Sequence, residues 1–451
     1  MRNRAVVIGA SLGGLLAARV LAETYSQVTL LERDLLPDMG EQRRGVPQGR
    51  HAHGLLGRGR EVLEELFPGL TGDLVALGAR SGDTQAQVRW YGGGHPLCQA
   101  ESGLMGLAVS RPLLEGYLRV RVRALPNVQV FEQTVVRDLV TTPDRARVVG
   151  VRLEREGAAA PQEFPADLVV DASGRGSPMP RWLSGLGYAA PPEERVEIGL
   201  AYASGHFRYA GDLGGQNAVV VAASPQHPRG AAMIAQEGGR WIVSVGGRLG
   251  DRPPTDPAGF LAFARSLPAP EVAEVVRGGE LLGKIVPFSY PASVRRRYER
   301  LRRFPEGLLV FGDAVCSFNP VYGQGMTVAA LEALALRRCL AAGGRGLARR
   351  FFQAAGRVVD IPWSLAVGGD LRFPDVPGPR PLRVRVVNAY LARLFPVAWR
   401  DPVVARAFLR VTNLLAPPTT LLSPGIALRV LARQRWQTAG PRGAGGTVPS
   451  R

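Results

Sequence analysis

The sequence predicts an α/β fold with a parallel sheet near its start, an inserted antiparallel sheet and a helical C-terminal region. The first observation is the segment 5–32, in which an apolar strand, a glycine-rich turn, a helix of small residues and a second strand follow one another. The second is a change to closely spaced strands without long helices between residues 195 and 248, after which the helix FLAFARSL and the strand GKIVPFSY complete the inserted sheet. The third is a series of proline-punctuated apolar helices after residue 345. A chain of 451 residues is long enough for this division.

The segment 5–32 has the order of a Rossmann-like dinucleotide-binding βαβ unit. A turn without bulky side chains lets the backbone approach a pyrophosphate at the helix N-terminus. Gly9, Ser11 and Gly14 occupy the three positions of the Gly-x-Gly-x-x-Gly pattern, so a small serine replaces the middle glycine. Glu32 ends the second strand, where a carboxylate can accept hydrogen bonds from ribose hydroxyls. A βαβ turn without a ligand and a secretory leader are the alternatives, but a cleaved leader has no reason to encode the strand VTLLE.

The pattern of elements also predicts domain boundaries. We expect the nucleotide-binding part to be discontinuous and to comprise residues 1–190 and 291–345. Residues 191–290 are expected to form the antiparallel, substrate-binding sheet, and residues 346–438 the helical region. The glycine- and proline-rich residues 439–451 are expected to be a disordered tail.

Charge and cysteine content restrict the possible functions. The formal net charge is +18, but nearly all positive residues are arginines, Lys284 is the only lysine, and they do not alternate with aromatic residues. We therefore expect no nucleic-acid partner, although an acidic protein or a lipid surface remains an alternative. Cys98, Cys316 and Cys339 are scattered and odd in number, which favours a reducing cytoplasm over a disulfide framework. The five histidines do not have metal-ligand spacing, so no metal site is expected, nor is a membrane-spanning helix.

Three segments in different parts of the chain carry a family resemblance: RRGVPQGRHAH, DLVVDASGRGSP and GDAVCSFNPVYGQGM. Together with the first turn, they make residues 4–345 similar to the para-hydroxybenzoate hydroxylase family of single-component FAD monooxygenases. Bacterial flavin-dependent epoxidases of polyketide tailoring in antibiotic biosynthesis are especially similar. The resemblance implies a Rossmann-like FAD-binding fold with FAD as cofactor and NADPH or NADH as reductant.

The activity that this resemblance implies is oxygen transfer. A flavin C4a-hydroperoxide would epoxidise or hydroxylate an apolar polyene, polyketide-like or aromatic substrate, either free or bound to a carrier. Three alternatives remain open. Some relatives in the family fold a polyene in a redox-neutral cyclisation beside FAD, and others reduce isoprenoid double bonds. The third alternative is a non-catalytic flavoprotein whose basic surface docks an acidic carrier domain.

The resemblance also assigns roles to individual residues. Arg111 is similar to an arginine near the pyrophosphate, and Asp313 to an aspartate that accepts a hydrogen bond from the ribityl chain. The helix beginning near Gly325 would direct its partial positive charge at the flavin N1 and C2 carbonyl, where reduction accumulates negative charge. The full set implied to bind the cofactor is Gly9, Ser11, Leu12, Gly13, Gly14, Glu32, Arg33, Arg44, Gly45, Val46, Arg111, Gly312, Asp313, Pro320, Gly323, Gly325 and Met326.

The chain departs from the family pattern at two positions that bear on mechanism. Ser173 precedes Gly174 where the family has Asp-Gly, in a fingerprint that serves both FAD and the nicotinamide. Cys316 replaces the customary histidine after Gly-Asp-Ala, and its apolar context predicts a packing residue.

The sequence contains no obvious catalytic base. Epoxidation needs none, whereas phenol hydroxylation would prefer one, and His53 and Tyr290 are the candidates. His51 and His53 could also serve only in structural hydrogen bonds. The strands of the antiparallel sheet carry few acids. We therefore expect their apolar side chains either to line a substrate cavity or to fill the core of the sheet. The candidates for the cavity are Phe207, Met233 and Phe288.

Overall fold

The computed structural model describes residues 2–43, 45–157 and 160–432. The predicted tail at 439–451 and Arg44 lie outside the described residues. The strands in chain order are β1 (Arg2–Ile8), β2 (Tyr25–Leu31), β3 (Arg80–Asp83), β4 (Val88–Gly92), β5 (His95–Pro96), β6 (Met105–Ala108), β7 (Val128–Phe131), β8 (Thr134–Thr141), β9 (Val148–Arg155), β10 (Gln162–Pro165), β11 (Leu168–Asp171), β12 (Glu193–Arg208), β13 (Ala218–Ala222), β14 (Gly230–Gln236), β15 (Arg240–Arg248), β16 (Glu280–Leu281), β17 (Val286–Arg296), β18 (Leu308–Val310) and β19 (Cys316–Ser317).

The α-helices, within the same described ranges, alternate with these strands in the first part of the chain and follow one another after residue 324. They are α1 (Leu12–Leu21), α2 (Gly57–Leu66), α3 (Leu70–Ala76), α4 (Thr84–Gln87), α5 (Arg111–Arg123), α6 (Met179–Gly185), α7 (Pro257–Arg265), α8 (Pro270–Gly278), α9 (Gly325–Ala341), α10 (Leu347–Asp370), α11 (Leu382–Ala398), α12 (Pro402–Thr412) and α13 (Pro424–Ala432).

A five-stranded parallel sheet, in the order β18-β11-β1-β2-β7, forms the centre of the nucleotide-binding part. Its inner strands are apolar because other elements cover them: α1 contacts β1 and β2, and the three-stranded antiparallel sheet β10-β9-β8 contacts β2 and β11. Ala5, Val6 and Val7 of β1 are completely buried in one core with α1 and α9. The predicted α/β fold with a parallel sheet, an antiparallel sheet and a helical C-terminal region is confirmed.

The antiparallel sheet is larger than the segment 191–290. Its order is β19-β17-β12-β15-β14-β13-β4-β5, and β16 pairs with β12. Strand β17 continues to Arg296, and β4 joins the sheet in parallel with β13. Strand β4 comes from the nucleotide-binding part of the chain, and a pairing across so long a separation has no local sequence signal.

The two faces of this sheet have different coverings. Helices α7 and α8 pack on one face, where Phe207 and Met233 lie in a core with Phe260. Side chains alternate along a strand, so Tyr202 of β12 is on the face opposite Phe207, beside Phe288 of β17. This second face borders the cavity described below.

The helical C-terminal region follows α9. Helix α10 packs on α9, while α11, α12 and α13 bury a separate apolar core against β4 and β5 that includes Leu394, Phe395 and Phe408. Trp399 fixes α11 to the sheet by donating its indole N–H to the carbonyl of Gly92 at 2.9 Å. Among residues 2–43, 45–157 and 160–432, no helix is long and apolar enough to cross a membrane.

Candidate cofactor and substrate site

A cavity of about 1220 Å³ extends from the first turn of α1, past the start of α9, to the C-terminal helices. Its lining is polar at the parallel sheet and largely apolar between the antiparallel sheet and α10 to α12. Most of the residues predicted to bind the cofactor line this one cavity: Gly9, Ser11, Leu12, Gly13, Glu32, Arg33, Gly45, Val46, Arg111, Gly312, Asp313, Pro320, Gly323, Gly325 and Met326.

The turn before α1 requires glycine at two of its three positions. Gly9 has φ +97°, and a Cβ there would lie 2.8 Å from the carbonyl oxygen of Ala172. A Cβ on Gly14 would lie 1.8 Å from the carbonyl oxygen of Gly9, so Gly14 allows close packing behind the turn and does not line the cavity. The N–H groups of the first helical turn have no acceptor within the helix, which suits an anionic ligand at this end.

Glu32 directly follows β2 at the edge of the cavity and is almost fully buried. Its Oε2 accepts a hydrogen bond from the N–H of Ala10 at 2.7 Å, and its Oε1 accepts one from the N–H of Asp34 at 3.0 Å. Glu32 also pairs with Arg43 at 2.5 Å. The carboxylate is therefore held beside the glycine turn, where the resemblance places a ribose.

Arg43 is not among the residues that the sequence predicted to bind the cofactor. Its guanidinium contacts Glu32, Asp34 at 3.2 Å and Glu115 at 3.3 Å. Burial opposes the charge, but Glu32 and Glu115 raise the pKa of Arg43. The partners come from β2, the following loop and α5, so only the fold brings them together. The neighbouring Arg44, which was predicted to contact the cofactor, lies outside the described residues.

Arg111 begins α5 and faces the first turn of α1. It pairs with Glu115 at 2.9 Å and donates a hydrogen bond to Oγ of Ser11 at 3.2 Å, while Ser11 donates to Glu115 at 2.9 Å. Burial raises the pKa of Glu115, but Arg111 and Arg43 lower it by more. Two guanidinium groups and free helix N–H groups therefore converge where a diphosphate would be held, so the donors at this end fit FAD.

Asp313 follows β18 in a short turn and faces the cavity deep inside the fold. Burial raises the pKa of its carboxyl group, and Arg111 and Arg175 lower it. The turn is held from below, because the N–H of Gly312 donates to Oε2 of Glu332 at 2.7 Å. Glu332, on α9, is completely buried and was missed by the sequence analysis, although a lone acid in the apolar run TVAALEALAL was a usable signal.

The loop before α9 brings its backbone to the cavity. Asn319 caps a short 3-10 turn by accepting a hydrogen bond from the N–H of Val321 at 3.2 Å, and Gly323 leaves the turn with φ +63°. Helix α9 then begins at Gly325 with its N-terminus at the cavity wall. This arrangement suits an anionic or electron-rich group of a bound ligand.

The antiparallel sheet contributes Tyr202, Phe288 and Tyr290 to the apolar part of the cavity. His51 packs edge-on against both Tyr202 and Phe288, and its Nδ1 lies 2.8 Å from Oγ of Ser204. Phe288 thus lies where it was predicted. Phe207 and Met233 do not: the prediction that they line the cavity is wrong, because the strand pleat directs both side chains into the core under α7 and α8.

The two candidate bases line the cavity but have shifted pKa values. Burial, together with the positive charge of Arg111, lowers the pKa of His53 to about 4. Burial raises the pKa of Tyr290, whose phenol oxygen lies 2.6 Å from Oγ of Ser317. Both groups are therefore neutral near pH 7, and neither has the pKa of an effective general base there. Cys316 is buried, and burial raises its pKa well above the ordinary value, as expected of a packing residue.

Comparison with known proteins decides the family. The FAD binding domain family matches residues 2–351. The chain belongs to this family. The predicted membership of a flavoprotein family of para-hydroxybenzoate hydroxylase type is thereby confirmed, and the chain is an FAD-dependent oxidoreductase that binds FAD.

The chain is also similar to individual proteins. Protein Rv3254 of Mycobacterium tuberculosis is 39% identical over 431 residues, which cover 92% of this chain and 90% of that protein. A flavoprotein/dehydrogenase from Cytophaga hutchinsonii is 17% identical and superposes with a TM-score of 0.68 over 97% of this chain and 99% of its own. The flavin-dependent brominase Bmp2 is 16% identical, with a TM-score of 0.66 over 97% and 99% of the two chains. For p-nitrophenol 4-monooxygenase PnpA from Pseudomonas putida the identity is 18% and the TM-score 0.63, over 92% and 99%.

Proposed function

We propose that this protein is an FAD-dependent monooxygenase that uses NADPH or NADH and O2 to epoxidise or hydroxylate an apolar polyene, polyketide-like or aromatic substrate. The observation that carries the proposal is the single cavity, whose nucleotide end is continuous with an apolar compartment. A flavin whose diphosphate lay at α1 and whose ring lay at the start of α9 would face that compartment.

The residues of the chain would bind and shield the reactants. Gly9, Ser11 and Arg111 would hold the diphosphate, Glu32 the ribose and Asp313 the ribityl chain. The N-terminus of α9 would stabilise negative charge on the reduced ring. Bound FAD supplies the two-electron and oxygen chemistry when reduced.

The apolar compartment supports oxygen transfer to carbon. Tyr202, Phe288 and Trp363 line it, and the helices α10 to α12 close it, so water would be displaced when an apolar substrate binds. Neither of the two candidate bases has the pKa of a general base near pH 7. This favours an alkene over a phenol as the substrate, because an alkene attacks an electrophilic oxygen without prior ionisation.

The redox-neutral cyclase is the second candidate because Ser173 alters the nicotinamide fingerprint. Ser173 donates its N–H to Asp171 at 3.0 Å, and Asp171 is completely buried. Asp171 therefore serves the turn that precedes Gly174, and this is compatible with either reaction.

The experiment is a balance of reactants with purified, FAD-saturated protein and a library of polyenes. Oxidation of NADPH, consumption of O2 and incorporation of ¹⁸O from ¹⁸O2 should rise together when a substrate is added. Product formed without O2 and nicotinamide would replace the monooxygenase with the cyclase, and product that needs NADPH but no O2 would replace it with a double-bond reductase. Salt-sensitive binding of an acidic carrier domain without turnover would support the non-catalytic alternative. Asp313→Ala serves as the low-FAD control, and Asp375→Ala, at an exposed aspartate, as the matched control.

A further inference from the structure

A cluster of polar side chains interrupts the apolar wall of the cavity where β15, the loop before α9 and the end of α10 meet. We define this arginine cluster as Arg248, Asn319, Tyr322, Asp370 and Arg372. Four of these residues line the cavity, and Asp370 lies completely buried behind them. The cluster lies on the substrate side, on the same face of the sheet as Tyr202 and Phe288.

One oxygen of the Asp370 carboxylate is already used within the cluster, whereas Oδ2 is buried without a hydrogen-bond partner among the described residues. Its Oδ1 accepts hydrogen bonds from Arg248 at 3.0 Å, Asn319 at 2.8 Å and Tyr322 at 3.0 Å. Burial raises the pKa of Asp370, and these contacts, Arg248 first, offset only part of that rise. The Arg248–Asp370 ion pair is therefore internally compensated.

Arg372 has no such partner. Within the part of the chain that the structure describes, its guanidinium donates one hydrogen bond, to the carbonyl of Ala223 at 3.2 Å, and no carboxylate lies within ion-pair distance. Burial lowers the pKa of Arg372 and the positive charge of Arg248 lowers it further, while Tyr322 and Asp370 offset this only in part. A partly buried cation with most of its donors unused is costly unless a ligand supplies the opposite charge.

The charge and shape of the cluster specify the ligand. One uncompensated guanidinium matches one negative charge, and its planar pair of donors matches a carboxylate. The same cavity is also lined by apolar side chains of the C-terminal helices, among them Trp363, Val367 and Leu391. The diphosphate of FAD is accounted for elsewhere, by Gly9, Ser11 and Arg111 at the parallel sheet.

We propose that Arg372, supported by Arg248 and the side chains that hold it, binds the carboxylate of an otherwise apolar substrate. The inference rests on the proposed function, since it names the class of substrate that the same cavity takes: a long or polycyclic apolar acid whose carboxylate is anchored at the C-terminal helices. Arg372 is then a specificity-determining residue.

Binding can be tested without turnover, so that failure of this inference and failure of the monooxygenase proposal are distinguishable. The probe is cis-parinaric acid, a fluorescent tetraene acid, and its methyl ester, titrated into FAD-saturated protein whose FAD content is measured by absorbance. Wild type should bind the acid at least tenfold more tightly than the ester, because charge-assisted hydrogen bonds form only with the acid. Arg372→Gln should remove that preference while FAD content and ester affinity stay unchanged.

Matched variants and competitors complete the experiment. Arg372→Lys should restore part of the preference, and Arg385→Gln, which removes an exposed arginine of α11, should retain all of it. Equal affinity for acid and ester in wild type, no binding of either, or an unchanged preference in Arg372→Gln would overturn the inference. Displacement of the probe by dodecyl phosphate tenfold better than by dodecanoate would overturn the carboxylate assignment. A raised KM for NADPH in Arg372→Gln, with the acid preference intact, would assign the arginine to the nicotinamide nucleotide instead.

Discussion

Replacing Glu332 by glutamine tests whether the buried acid beneath the Gly312 turn has a shifted pKa. Burial raises the pKa of Glu332 from 4.5 to about 8, even though the N–H of Gly312, which donates to Oε2, offsets part of the rise. An unfolded chain would release this proton near pH 4.5, whereas the folded protein retains it up to about pH 8. The contribution of the protonated Glu332 to the free energy of unfolding is therefore fully present below pH 4.5 and is lost as the pH rises to 8.

The size of the effect follows from the two pKa values. Each pH unit between them costs about 1.4 kcal/mol of the free energy of unfolding. Between pH 4.5 and pH 7 the wild type should therefore lose about 3 kcal/mol relative to Glu332→Gln, which is uncharged throughout and can still accept the hydrogen bond from Gly312 through its amide oxygen. The two proteins should have similar stability at pH 5, and the variant should be the more stable at pH 8.

Urea unfolding of the FAD-free proteins at four pH values between 5 and 8 measures this difference. Glu332→Leu is the control, because it removes both the charge and the acceptor. It should be less stable than the glutamine variant by about 1–3 kcal/mol at every pH, since the N–H of Gly312 is then buried without a partner. A stability difference between wild type and Glu332→Gln that does not change with pH would refute the reasoning, and so would a wild type that gains on the variant as the pH rises.

Two further predictions concern the cavity. Glu32→Ala and Asp313→Ala should each weaken FAD binding by about tenfold or more, because each removes a charged hydrogen-bond acceptor at the cofactor. Flavin titration measures this loss, and the control variant Asp375→Ala should retain wild-type affinity. Full FAD retention in both variants would contradict the proposed position of the cofactor. Phe288→Ala should change substrate choice more than FAD affinity, as measured by kcat/KM across a series of substrates of increasing size. Phe207→Ala, on the opposite face, should instead lower the free energy of unfolding by about 3–5 kcal/mol and leave substrate choice unchanged, and the reverse pattern would show that the two faces are misassigned.

Local patterns were sufficient to predict the nucleotide end of the site. The positive φ of the turn requires glycine at position 9. Glu32 could be predicted as a cofactor ligand because it stands at the end of an apolar strand. Apolar runs such as those of β1 and β11 can only be buried on both faces, so they predict the parallel sheet without knowledge of their neighbours. The family motifs added Asp313 and the loop before α9.

Tertiary structure decided which side chains meet and which face of a strand is covered. Phe207 and Phe288 occupy equally apolar strands, but α7 and α8 cover only one face of the sheet, and the pleat places the two rings on opposite faces. Arg43 and Arg372 are two of many arginines in the sequence. One is neutralised by carboxylates from three separate elements, and the other lies near a carboxylate that is already paired. Charge compensation depends on distances between residues far apart in the chain, so the fold, and not the local pattern, determines which arginine is left to bind a ligand.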